Sequence, residues 1–171
     1  MSLEILWAGW RASYVATAAD VPAGEGSVFT RILASGLPDT EIHVVWRGRA
    51  CFAICNAFPY TSGHLLVMPY REVPDLEELT SEEHSELWTA VRDAVVAVKA
   101  AYRPEGVNIG MNLGRPAGAG VPGHLHVHVL PRWNGDTSFM SVVAGTRVIP
   151  EDLASSAAKL RAAWPPASAA P

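Results

Sequence analysis

The sequence has almost no cysteine: Cys51 and Cys55 are the only two among 171 residues. They sit four apart on one predicted strand, which places them on one face but about 13 Å apart, too far to bridge each other. They read as reduced core thiols, which fits a reducing cytoplasm. Positive charge is also in short supply. Thirteen Lys and Arg against 17 Asp and Glu leave a net charge of −4. No global field therefore draws nucleic acid or an anionic membrane, and a phosphate-bearing ligand would have to be held by local donors. Long apolar runs are missing too. None reaches the roughly 18 residues of a membrane span, and the first thirty residues lack the basic-then-apolar pattern of a signal peptide.

What is present is enough for one domain. Hydrophobic residues make up 49% and charged residues 18%, a balance that supports a core and argues against disorder. Residues 1–25 carry Trp7, Trp10, Arg11 and Tyr14 before an Ala/Pro/Gly stretch, and read as an arm that packs on something. A folded domain is expected over 26–165, and 166–171 as a disordered tail. Residues 42–56 read as a hairpin around the Arg47-Gly48-Arg49 turn. His64–Met68 is a short strand closed by Pro69. Thr80-Ser81-Glu82-Glu83 has capping-box spacing, and Leu87, Trp88, Val91, Val95, Val98 and Tyr102 then make one apolar helical face. The acids of that helix read as a solvated face. Pro104 ends it. Strands are expected at 107–112 and 124–130, and a short helix over 151–164. Strands, one helix, then strands in hairpin order predict an α+β fold with an antiparallel sheet.

The informative segment is Gly123-His124-Leu125-His126-Val127-His128-Val129-Leu130-Pro131-Arg132. Three of the chain's six histidines fall within five residues. Side chains on a strand alternate, so His124, His126 and His128 share one face about 6–7 Å apart, while Leu125, Val127 and Val129 turn to the core. A chance polar face would more often use Thr, Lys or Glu. A zinc site is a second reading, but ligand nitrogens on one zinc lie about 3.3 Å apart, so the three rings could not all converge. The third reading is phosphorus chemistry, with imidazoles as nucleophile and as donors to phosphoryl oxygens. The preceding loop, Gly114-Arg115-Pro116-Ala117-Gly118-Ala119-Gly120, favours it, because small residues let backbone amides close on an anion. His43 and His84 have no evident partners and read as structural.

The His-apolar-His-apolar-His run with its Pro131-Arg132 ending resembles the signature of the histidine-triad (HIT) family, in its Fhit-like branch. Gly63-His64-Leu65-Leu66-Val67-Met68-Pro69 is similar to the family's earlier GH-apolar-P strand. Asn56, eight residues before His64, and Asn112 fall where the family has polar binding residues. The matches span residues 27–135, and the Trp133-Asn134-Gly135-Asp136 extension resembles bacterial diadenosine-polyphosphate phosphorylases and hydrolases. The resemblance implies a HIT-type sheet that pairs into a homodimer, and a two-step displacement at phosphorus. His126 would be the nucleophile, His128 and Asn112 would hold phosphoryl oxygens, and His124 and His64 would orient the nucleophile and assist the leaving group. Asn56 would take the ribose hydroxyls. Phe29, Ile32 and Ile54 would line the base pocket, although core packing is the stronger reading of those three residues alone. An acceptor anion would meet Ala119, Gly120, Asn112, Trp133 and Arg115.

The chain also departs from the family. Many bacterial relatives hold a structural zinc through a CxxC and a later histidine; here Ser27, Thr30 and Arg71 stand at those positions. The expectation is a protein without its own cofactor, any Mg²⁺ arriving with the substrate. Gly120 replaces a serine of the phosphorylase phosphate loop, which leaves phosphate and water both open as acceptor. A Hint-type nucleoside phosphoramidate hydrolase, disfavoured by Pro131-Arg132, and a non-catalytic nucleotide sensor remain the alternatives.

Overall fold

Alternating apolar residues after position 42 produce the expected hairpin. β1 (Val44–Arg47) and β2 (Cys51–Cys55) pair antiparallel, with a register shift between Val44 and Trp46. The computed structural model describes residues 26–136 and 149–166; the N-terminal arm and nearly all of the expected tail lie outside them. β3 (Leu65–Pro69) pairs with β2, β5 (Val127–Arg132) with β3, and β4 (Gly106–Met111) with β5, all antiparallel. The sheet order is β1-β2-β3-β5-β4, which leaves β4 at an edge.

Among the described residues, three α-helices accompany the sheet. α1 is short, Val28–Leu33, and had no signal in the sequence pattern. α2, Ser81–Tyr102, begins at the expected capping box: Thr80 Oγ accepts from the Glu83 amide, and the Glu83 carboxylate accepts from the Thr80 amide. Arg103 closes it in the left-handed region at φ 47°, ahead of Pro104. α3, Leu153–Ala163, is capped by Asp152. No helix among the described residues is long and apolar enough to cross a membrane.

The two sheet faces differ in kind. One face, with Cys51, Ala53, Cys55, Leu65, Val67 and Val127, packs against α2 and α3 in the main core. Both thiols are reduced and buried, and burial pushes each up to about 12. The other face, with Phe52, Ile54, Leu66 and Met68, packs under α1 through Phe29. Burial of these aliphatics, at about 25 cal/mol per Å² of apolar surface, is what holds the strands that carry the histidines.

Three expectations are corrected. Trp88 is 40% exposed rather than part of the buried helix face. The buried stripe runs through Leu87, Ala90, Val91, Ala94, Ala97 and Val98, and the small alanines bring α2 close to the sheet while Trp88 is rotated off it. The acids of α2 are not all a solvated face. Glu83 is buried and accepts two hydrogen bonds from Arg71, at 2.9 and 2.6 Å. That guanidinium, with the Thr80 bonds, holds the Glu83 carboxyl down at about 2. Glu86 accepts the backbone amides of Arg49, Ala50 and Cys51, capping the β1–β2 turn. Finally, the last strand begins at Val127 rather than His124. The amides of His124 and Leu125 donate to Val121 and Val73 carbonyls in loops, so these residues approach the sheet without joining its ladder. The strand also runs past Leu130, through Pro131 and Arg132. β3 pairs with β5 no further than Val129, so the missing Pro131 N–H leaves no ladder bond unmade.

Candidate active site

The residues preceding and opening β5 set the histidines on the α1 side of the sheet. His128 stands opposite Leu66 in the register, on the cleft face, while Val127 and Val129 turn to the α2 core. His126 and His128 meet edge to face with ring centroids 5.0 Å apart. Both line a cleft of about 860 Å³, within the range of nucleotide-sized ligand sites.

Each imidazole is held in one tautomer by partners whose roles are fixed. A carbonyl can only accept, so the His126 Nδ1–H donates to the His124 carbonyl at 2.8 Å, which leaves the lone pair on Nε2. Burial lowers the basicity of His126, partly offset by that bond, so the ring stays neutral at pH 7. A backbone amide can only donate. Tyr60 N–H donates to His64 Nδ1 at 3.1 Å, with the Asn56 amide group 3.3 Å from the same nitrogen. The His64 proton therefore lies on Nε2 and is given to His128 Nδ1 at 2.9 Å. That places the His128 proton on Nε2. Two separate sets of bonds thus yield a ring with a bare nitrogen beside a ring with a donor N–H, a pairing suited to attack on a phosphoryl group.

His124 is fully buried. Its Nε2–H donates to the Pro69 carbonyl at 2.8 Å, and its Nδ1 accepts from Ser27 Oγ at 2.7 Å. Burial lowers its pKa, with Pro69 and Glu72 opposing the shift. Its carbonyl, not its ring, is the group that meets the His126 ring.

The cleft gathers most of the expected binding residues. Phe29 and Ile32 from α1, Ile54 from β2, Asn56 and Gly120 all line it. Phe29 is also a core residue, packed at 5.5 Å from both the His124 and His126 rings, so it both packs in the core and lines the cleft. Asn56 is oriented by its Oδ1, which accepts the Phe58 amide at 3.0 Å. Other expected residues are placed apart from the cleft lining. Asn112 reaches the Gly118 carbonyl at 3.4 Å and so braces the small-residue loop. The Ala119 amide is already given to the Gly114 carbonyl at 3.2 Å. Trp133, beyond the far end of β5, packs edge-on against Tyr102 of α2.

Sequence reading missed two contributors. Tyr60 packs 4.6 Å from the His64 ring and stacks at 5.9 Å on His128. His43 lines the cleft with φ 59°, and its Nδ1 is buried without a hydrogen-bond partner among the described residues. A left-handed non-glycine residue is the signal that marks it, and no sequence pattern carries that. The residues expected to exclude zinc also have defined work: Arg71 grips Glu83, while Ser27 and Thr30 bond to His124 and Glu72. Two hydroxyls and an ion-paired guanidinium do not make a zinc donor set.

Comparisons with known proteins agree with this geometry. The chain is 41% identical over 167 residues to a protein of Mycobacterium tuberculosis named AP-4-A phosphorylase, covering 95% of this chain and 85% of the relative. It is 39% identical over 95 residues to the asymmetrical bis(5'-nucleosyl)-tetraphosphatase of Schizosaccharomyces pombe, covering 56% of this chain and 52% of that one. Among solved structures, a Zn-bound histidine triad family protein of Mycobacterium smegmatis superposes with a TM-score of 0.66 at 30% identity, covering 81% of this chain and 93% of that one. The HIT domain model matches residues 38–135, and with the three histidines set on the cleft side of an antiparallel sheet, the chain belongs to the HIT family.

Proposed function

We propose that the protein cleaves dinucleoside polyphosphates, such as Ap4A, through a covalent nucleotidyl-His126. The observation that carries this reading is the 2.8 Å bond from His126 Nδ1 to the His124 carbonyl, which leaves Nε2 as a neutral nucleophile in a nucleotide-sized cleft. Nε2 attacks the α-phosphorus, a P–N bond forms, and the P–O bond to the polyphosphate breaks with its electrons leaving on oxygen. The ring becomes cationic as the bond forms, and the carbonyl at Nδ1 stabilises that charge. The His128 Nε2–H faces the phosphoryl oxygens, and His64 fixes that proton. Asn56 takes the ribose hydroxyls, and Phe29, Ile32 and Ile54 hold the base. His124 acts through its carbonyl. Asn112 shapes the Gly114–Gly120 loop, where Gly120 and Arg115 meet the anion; Trp133 has no part in this chain's own cleft. The chain supplies no metal, and Mg²⁺ travels with the polyphosphate.

The acceptor is inorganic phosphate in this reading, supported by the M. tuberculosis relative's name and its coverage of 95% of this chain. Arg31 and Arg115 line the cleft, with Glu41 the one acid beside them among the described residues, and supply local positive charge where the whole chain is net negative. Incubation with Ap4A and millimolar phosphate tests it: ADP and ATP are expected. AMP and ATP with no rate response to phosphate would make water the acceptor, and no cleavage would defeat the reading. The exposed edge strand β4, with Ile109 half exposed, is suited to pairing with a second copy, so a homodimer is expected by light scattering, reduced to monomer by Ile109→Lys. The buried reduced thiols support a cytoplasmic setting.

A further inference from the structure

We infer that Ser27, with Thr30 and Glu72 behind it, is a positioning device for the nucleophile, acting through His124. The inference rests on His126 being the attacking residue. A fully buried imidazole is costly unless both nitrogens are bonded, and His124 meets that demand by joining three segments. Its Nε2–H holds the end of β3 at Pro69, and its Nδ1 holds Ser27 at the N-cap of α1. Its own carbonyl holds His126.

α1 has six residues and buries one side chain, Phe29, so it has little helical stability of its own. It is fixed from outside instead. Glu72 Oε1 accepts the Ser27 amide at 2.7 Å and the Thr30 hydroxyl at 2.5 Å, and these bonds hold the Glu72 carboxyl below its ordinary range. Both the backbone angle and the approach of that carboxylate favour a glycine before Ser27. Gly26 has φ +84°, and a Cβ there would lie 2.7 Å from the same Glu72 oxygen. The consequence reaches the site at two points. Phe29, carried by α1, packs on the His126 ring as well as the His124 ring, and Ile32 continues the cleft wall. The Ser27–His124 bond therefore sets the nucleophile's carbonyl anchor and its aromatic wall in one frame. A misplacement of about 1 Å in such a frame can cost roughly a hundredfold in rate.

The test compares Ser27→Thr and Ser27→Val, which share a shape and differ in the hydroxyl. With Ap4A and phosphate, Ser27→Val is expected to lower kcat about ten- to a hundredfold with KM changed less than about threefold, while Ser27→Thr keeps at least a third of kcat. Ser27→Gly keeps an acceptable helix cap but lacks the hydroxyl, so it should stay as slow as Ser27→Val; recovery in Ser27→Gly would assign the effect to capping and overturn the inference. A second readout does not depend on turnover. In ¹⁵N-histidine NMR, His126 should show one tautomer in the wild type and in Ser27→Thr, and a mixture in Ser27→Val. A single unchanged tautomer in Ser27→Val, or kcat above half of wild type, would overturn the inference, as would equal loss in Ser27→Thr. If the wild type leaves Ap4A intact, the nucleotide reading fails, and the tautomer comparison alone decides this one.

Discussion

The residues from His124 to Val129 present two opposite chemistries within six positions. Leu125, Val127 and Val129 are at most 2% exposed and lie in an aliphatic core that makes no polar demand. His124 and His126 are almost as deeply buried, at 0% and 6%, yet each ring nitrogen that faces protein has a partner of fixed role. Burial of the first set creates stability, because apolar surface leaves water. Burial of the second creates directionality, because a polar ring tolerates the interior in one orientation and one tautomer. The aliphatic side should therefore tolerate exchange of shape for similar shape, and the imidazole side should tolerate almost no exchange of chemistry while contributing less to stability.

The sharpest break between the two comes from His126→Ala. Turnover should fall by several orders of magnitude, since a covalent nucleophile is lost, with nucleotide binding and melting temperature little changed. Activity above about a tenth of wild type, a barrier change under roughly 1.4 kcal/mol, would remove His126 from its role. The reciprocal variant is Leu87→Ala, fully buried on α2 in the aliphatic core. Denaturant unfolding should show a loss of about 3 kcal/mol with kcat within a few-fold of wild type. A large loss of kcat in a folded Leu87→Ala protein would mean that the two faces are not separable.

A smaller effect follows from pH. Burial holds His126 and His124 below 6.5, so the acid limb of kcat/KM should fall below pH 6.5; a midpoint above it would contradict a buried, neutral His126 as the attacking group. The same sign governs stability. These rings take protons in the unfolded chain first, so stability is full above 6.5 and declines as pH falls through the folded values. Glu83 adds a second window in the same direction. Its carboxyl lies at about 2 rather than near 4.5, so its contribution is present above about 4.5 and is lost as pH drops towards 2. A Glu83→Gln protein should lose that part of the acid dependence, read from melting temperature against pH. The smallest expected effect is none. Chelation of the protein should leave its melting temperature unchanged, and its activity unchanged once Mg²⁺ is restored with the substrate, and elemental analysis should find no stoichiometric zinc, because Arg71 is committed to Glu83 and Ser27 to His124. About one tightly held zinc per chain would refute it.

What was legible in the sequence follows the same division. Period and capping gave α2 from Thr80, the β1–β2 hairpin, and the turn of Leu125, Val127 and Val129 to the core, because these depend on neighbours in sequence. Alternation predicts the start of β5 three residues early, since it continues through His124–His126 although the amides of His124 and Leu125 bond to loops. Helix α1 was invisible because it depends on Glu72 and His124, 45 and 97 residues from Ser27. The histidine row itself was plain, but the rule that His124 contributes a carbonyl, that Tyr60 fixes His64 and that His43 enters the cleft is set by tertiary contacts. Trp88 was misplaced for a related reason: the alanines that allow α2 to approach the sheet carry little hydrophobic signal, while the exposed tryptophan carries much.

The central claim is that His126 Nε2 bonds to phosphorus. Rapid mixing with Ap4A in the absence of phosphate, quenching in alkaline denaturant to preserve the acid-labile P–N bond, and peptide mass mapping would test it directly. The account predicts one adenylyl group per chain on His126, discharged as ADP when phosphate is added before the quench. An adenylyl group on another residue, or turnover with no covalent species at any time, would contradict it.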